Sequence, residues 1–109
     1  MVKGFFVNGS KEFMKLYNSL DSKSPLKRDV DNAIDTLKRN PLSGEKIQKQ
    51  LWPEKYVKRH QVNNLFRYRL AGGYRLIYTI VAKSNNTTSV ILDALDHGEY
   101  DNVFGYDTS

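Results

Sequence analysis

The chain has 109 residues, 39% of them hydrophobic, which suits one modest core and a single domain spanning residues 1–109. It contains no cysteine, which excludes a disulfide scaffold, a thiol nucleophile and any cysteine-ligated metal, while a net charge of +5 favours an acidic partner, either nucleic acid or an acidic protein segment. No run of about 18 apolar residues offers a membrane span, and the first residues lack the apolar core of a secretory signal, so a cytoplasmic protein with no membrane contact is expected.

Gly4-Phe5-Phe6-Val7 is a short apolar run, and Asn8-Gly9-Ser10 reads as a turn into a helix N-cap, so a first strand is expected over residues 4–7. Beyond Ser10, Phe13, Leu16, Tyr17 and Leu20 recur at helical spacing. Asp21-Ser22-Lys23 breaks that stripe, and Ser24-Pro25 supplies an N-cap followed by proline at the first helical position, where a missing N–H does no harm. The second stripe, Leu26, Val30, Ala33, Ile34 and Leu37, runs into Lys38, Arg39 and Asn40-Pro41, a helix C-terminal pattern. The pair predicts an antiparallel helical hairpin packed on a sheet. Leu42 to Asn64 is polar and basic, broken by Gly44 and Pro53, and predicts loop with short helical turns.

Leu65 to Val81 predicts two strands. Alternation puts Phe66, Tyr68 and Leu70 on one face and Leu65, Arg67 and Arg69 on the other. In the next strand Tyr74, Leu76, Tyr78 and Ile80 share one face, and Arg75, Ile77, Thr79 and Val81 the other. The turn decides how these faces join, because a one-residue slip exchanges them. A three-residue Ala71-Gly72-Gly73 loop sets Leu70 opposite Tyr74 and Arg69 opposite Arg75, leaving one face apolar and gathering Arg67, Arg69 and Arg75 on the other. A two-residue loop would bury Arg75 beside Tyr68 and Leu70, which costs several kcal/mol, so the longer loop is expected.

A polar turn at Lys83 to Thr87 and a strand over Ser89 to Leu95 complete a three-stranded antiparallel meander. Asp93 shares the arginine face if Ile91 and Leu95 lie there, and does not if Val90, Leu92 and Ala94 do. The aromatic tail from His97 to Tyr106 is expected to dock as a helical turn. The expected class is α+β: an N-terminal strand and a helical hairpin packed on a small, mainly antiparallel sheet that ends in the meander.

This order of elements, centred on Gly73-Tyr74-Arg75-Leu76-Ile77-Tyr78, resembles the RelE/ParE toxin family of bacterial and archaeal toxin–antitoxin systems. The element order matches over nearly the whole chain, the motif over residues 65 to 100. Its pattern is an aromatic-Arg strand, a short glycine-containing turn and a Tyr-Arg-aliphatic-aliphatic-Tyr strand. The resemblance implies a RelE/ParE-like fold and, in the RelE branch, a ribosome-dependent, metal-independent endoribonuclease that cuts translated mRNA without a cofactor. It also implies a cognate antitoxin held with the toxin in a hetero-oligomer, since so basic a chain needs its charge covered.

Cutting RNA without a metal requires a base for the ribose 2′-OH, a cation for the phosphorane's charge and an acid for the leaving 5′-oxygen. Arginine suits the second task, because its planar fork grips phosphate and keeps its proton. Arg75 matches the family's strand arginine, and Arg69 beside it is a second catalytic candidate. His60 and His97 are the only histidines, and histidine is the side chain whose charge changes near neutral pH. RelE-like chains hold a basic residue or histidine after the last strand and then a tyrosine, so His97 is expected as acid or base and Tyr100 as a proton-transfer or stacking group. Lys55, Lys58, Arg59 and Arg67, with Lys49, Trp52, Tyr56 and His60 nearby, are expected to bind RNA. No metal-ligand spacing and no glycine-rich phosphate loop is present.

After His97 the chain departs from the family. Gly98 and Glu99 replace basic residues, and the usual tyrosine position falls on Asn102, Val103 or Phe104. Asp93, Asp96, Glu99 and Asp101 are expected to engage Arg67, Arg69 or Arg75. Two other readings stay open on these grounds, a non-catalytic binding module of the same fold and a ParE-like gyrase inhibitor.

Overall fold

The computed structural model of the chain describes residues 4–105, so Tyr106 of the expected aromatic tail lies outside the described residues. β1 (Gly4–Gly9) is followed by α1 (Lys11–Ser19) and α2 (Pro25–Arg39). Ser10 starts α1 by accepting from the Phe13 N–H at 3.0 Å, while its own hydroxyl donates to the Leu92 carbonyl at 2.8 Å and ties the helix entry to the sheet. Ser24 caps α2 likewise, accepting from the Lys27 N–H at 3.1 Å, with Pro25 in the first turn. The connector holds β2 (Glu45–Lys46) and α3 (Glu54–His60), with single 3₁₀ turns at Pro41–Ser43 and Lys49–Leu51. β3 (Phe66–Arg69), β4 (Arg75–Lys83) and β5 (Asn86–Leu95) make the meander, and α4 (His97–Phe104) follows.

The strands form one five-stranded sheet in the order β1-β5-β4-β3-β2, with β1 parallel to β5 and every other neighbour antiparallel. The hairpin has the three-residue loop: Arg69 lies opposite Arg75, and the Leu70 N–H donates to the Tyr74 carbonyl at 2.8 Å. Gly73 sits in the turn at a φ of 99°, a conformation glycine adopts without strain.

The apolar face of this hairpin packs Phe66, Leu70, Leu76 and Tyr78 against Phe13, Val30, Ala33 and Leu37 of the helical hairpin. The opposite face corrects the expectation of an arginine-bearing surface. It carries a second core of Ile47, Tyr56, Leu65, Ile77, Leu92, Leu95, Tyr100 and Phe104, supplied in part by the connector, α3 and α4. The arginines lie around that core.

The β4–β5 ladder is irregular at one point. Ile77 pairs with Asp93 whereas Tyr78 pairs with Ile91, so Leu92 is an extra residue in β5, a β-bulge. Plain alternation would set Leu92 and Asp93 on opposite faces. The bulge puts both on the Arg75 face together with Leu95, so neither register left open by the sequence is adopted.

Tyr78 locks the connector to the sheet. It is fully buried, donating its hydroxyl hydrogen to the Pro41 carbonyl at 2.7 Å and accepting from the Gly44 N–H at 3.0 Å; burial holds its pKa above the ordinary phenol value. Gly44 has to be small, because a Cβ there would stand 2.6 Å from both the Arg67 carbonyl and the Tyr78 hydroxyl. Tyr78→Phe is expected to destabilise the fold by about 1–3 kcal/mol for each backbone group left unpartnered, read as a lower Tm in thermal denaturation.

Candidate functional site

β3 and β4 bring Arg67, Arg69 and Arg75 to one side of the sheet, with Arg69 and Arg75 directly opposed. Like charges so placed repel, and α4 supplies groups that hold two of them. Asp96 caps α4 immediately after β5, which sets His97 beside Arg75 and brings Tyr100, one turn on, beneath the guanidinium groups. The Arg75 guanidinium lies 4.6 Å from the Tyr100 ring centroid, and its Nη1 is 3.2 Å from His97 Nδ1. Arg67 lies 5.8 Å from the same ring and donates from Nη1 to the Tyr100 hydroxyl. Tyr100 is only 2% exposed and stacks on Phe104 at 4.4 Å, so it forms a floor for two cations.

The His97 side chain is 73% exposed, with Nε2 at 3.4 Å from Asp101 Oδ2. Arginine only donates, so the neutral tautomer assigned by these contacts keeps the lone pair on Nδ1 toward Arg75 and the proton on Nε2 toward Asp101. Arg75 Nε is buried without a hydrogen-bond partner among the described residues. Such an orphaned N–H costs about 1–3 kcal/mol, so stability alone does not select this placement.

The carboxylate that pairs with these arginines is Glu45, which sequence reasoning missed. β2 pairs it with Arg67 across the ladder, and its Oε1 accepts from Arg67 Nε at 3.3 Å and from Arg69 Nε at 2.9 Å. The Arg69 hydrogen bond, followed by the field of Arg67, holds the carboxyl below the usual range. The pairing is therefore present at neutral pH and lost only as the pH falls through that depressed value. Glu45→Gln frees Arg67 and Arg69 and is expected to tighten the binding of a polyanion such as heparin roughly 5-fold, since a half-exposed pair of this kind competes with an anionic group by about 1 kcal/mol at most, and to steepen its salt dependence. Filter binding at several salt concentrations checks it.

The acidic residues expected to meet the arginines are engaged elsewhere. Asp93 Oδ2 accepts from the Tyr56 hydroxyl at 2.8 Å and pairs with Lys55 Nζ at 3.1 Å; burial, then this carboxylate, pushes the Tyr56 phenol far above its usual value. Asp96 and Glu99 cap α4 reciprocally: Asp96 Oδ1 accepts from the Glu99 N–H at 2.8 Å, and Glu99 Oε1 from the Asp96 N–H at 3.0 Å. Asp101 faces His97. Glu99, one of the departures from the family pattern, is thus a helix-capping residue. The Asp96-x-x-Glu99 spacing signals it, but a reading by charge alone overlooks it.

The structure gathers Arg67, Arg69, Arg75, His97 and Tyr100, and Lys55 joins the same face through Asp93. Lys58 and Arg59 do not join: Lys58 pairs with Glu54 on its own helix at 2.7 Å, and Arg59 and His60 reach Glu12 of α1 at 3.6 and 3.5 Å. Among the described residues no cluster of three or more histidines and carboxylates could hold a metal ion, and no helix is long and apolar enough to cross a membrane.

Fold and site together define a small α+β protein with an arginine-centred cationic face on its sheet. The architecture is a RelE-like fold: the structure of a mutant of the E. coli toxin RelE in the free state matches 94% of this chain and 97% of its own, with a TM-score of 0.56 and 11% sequence identity. At that identity the likeness is one of fold. No protein-family model and no curated protein matches the chain.

Proposed function

We propose that this protein is a RelE-like toxin, a ribosome-dependent endoribonuclease that cuts translated mRNA without a metal. The observation that carries the reading is Arg75, held against Tyr100 with a buried Nε that has no partner among the described residues and its Nη1 beside an exposed histidine. Arg75 stabilises the charge that develops on the scissile phosphate, and Arg67 and Arg69 hold the adjoining backbone. The phosphate draws Arg75 Nη1 off His97, and the ribose 2′-oxygen bonds to phosphorus as its proton passes to the Nδ1 lone pair so released; the P–O5′ bond breaks and the 5′-oxygen takes a proton from water. The products are a 2′,3′-cyclic phosphate and a 5′-hydroxyl. Tyr100 acts as a positioning residue, since its hydroxyl is committed to Arg67 and the side chain is buried. Lys55 flanks the track, while Lys58 and Arg59 add to the positive field.

Arg69, 60% exposed, and His97 lie open to solvent, which supports a substrate oriented by a larger partner, the ribosome. The net charge of +5 supports an acidic cognate antitoxin in a hetero-oligomer in the cytoplasm. Induced expression followed by mapping of message ends tests the reading. Arrested growth with cuts in translated frames is expected. Normal growth and intact messages at high soluble expression overturn it. Glu45's hold on Arg67 and Arg69 favours one second reading, a non-catalytic module, under which an acidic segment binds this face and no message is cut.

A further inference from the structure

The 3₁₀ turn Lys49–Leu51 places Trp52 at the edge of the second core, where its indole Nε1–H donates to the Ile47 carbonyl at 2.9 Å. That bond sets the plane of the ring. Two adjoining depressions of about 560 and 390 Å³ both open onto Trp52, Lys49 and Asn63. The larger is also lined by Lys46, Gln48 and Gln50. No carboxylate among the described residues pairs with Lys46 or Lys49. Gln50 Nε2 donates to Gln48 Oε1 at 2.8 Å, which leaves the Gln48 N–H groups and the Gln50 carbonyl as a donor and an acceptor at the rim.

A fixed aromatic plane, amides able to read a base edge and two lysines for phosphate are the chemistry that recognises an unpaired nucleobase in a single strand. An acidic peptide would use the lysines but leave the amide pair idle. β2 joins the two regions: Glu45 faces Arg67 and Arg69, and the next residue, Lys46, lines the Trp52 depression. The geometry points to Trp52 as a stacking subsite for a base of the bound RNA flanking the scissile phosphate, an inference that rests on the RNA-cleaving reading above.

Trp52 is the only tryptophan, so its fluorescence reports this subsite alone. The full chain is titrated with a labelled single-stranded 2′-O-methyl oligoribonucleotide, which lacks the attacking hydroxyl and is not cut, while label anisotropy reports binding anywhere on the protein. Expected is quenching of Trp52 that saturates together with the anisotropy, and none with inorganic polyphosphate. Trp52→Phe is expected to keep most of the affinity and Trp52→Ala to lose roughly 5- to 100-fold; the quenching, measured on the unaltered chain, stands even if Trp52→Ala fails to fold. Anisotropy without quenching overturns the subsite and leaves the cleavage reading intact. Equal quenching by polyphosphate, or quenching by an acidic peptide but not by the oligonucleotide, also overturns it. A folded chain that gives neither signal also overturns the subsite, while the mapping of message ends decides the cleavage reading separately.

Discussion

Replacing Arg75 with alanine is expected to lower cleavage of translated message by about 10²- to 10³-fold, the usual loss when one preorganised charge-stabilising donor is removed. The fold should survive. The change removes a cation–π contact with Tyr100 but also an orphaned N–H, and these offset to within about 1 kcal/mol. Arg75→Lys should recover only part of the rate, because an ammonium keeps the charge but not the planar fork. Primer extension on message ends after pulsed induction measures the rate, and circular dichroism verifies the fold. A folded alanine variant that cuts at the parent rate removes Arg75 from the chemistry.

Tyr100 separates support from proton transfer. Tyr100→Ala is expected to cost about 3–5 kcal/mol, since it empties a buried aromatic position and removes the ring beneath Arg67 and Arg75. A domain of this size has about 5–15 kcal/mol in all, so the variant should denature at much lower urea and lose activity with its structure. Tyr100→Phe keeps the ring stacked on Phe104 and loses the hydroxyl that accepts from Arg67. Its expected rate lies within about 10-fold of the parent, in line with one lost hydrogen bond. If Tyr100 donates a proton in the chemical step, the phenylalanine variant will instead be as slow as Arg75→Ala, and single-turnover cleavage distinguishes the two.

What could be read directly from the sequence was periodic or adjacent. The stripes of α1 and α2, the caps at Ser10 and Ser24 and the loop that aligns Arg69 with Arg75 each depend on residues a few positions apart. The arginine cluster was legible for the same reason. β2 was not, because two residues carry no alternation, and with it went the Glu45 pairing. The depth of Tyr100 depends on how α4 packs across the sheet, a long-range matter that no local pattern encodes. The basic run on α3 looked uniform, yet one helical turn divides it, sending Lys55 to Asp93 and Arg59 to Glu12.

The extra residue at Leu92 makes the chain unequally tolerant of length change. The pairs of Tyr78 with Ile91 and of Ile77 with Asp93 flank that residue, so deleting Leu92 itself would restore plain alternation and forfeit a buried core side chain, whereas adding or removing a residue between Asp93 and Asp96 would shift the start of α4 against Arg75. The turn between Lys83 and Asn86 lies on the other side of the bulge at an exposed end of the ladder, where added residues leave the pairing register unchanged. Length variation among homologues should therefore accumulate at the β4–β5 turn and be nearly absent between Ile91 and His97.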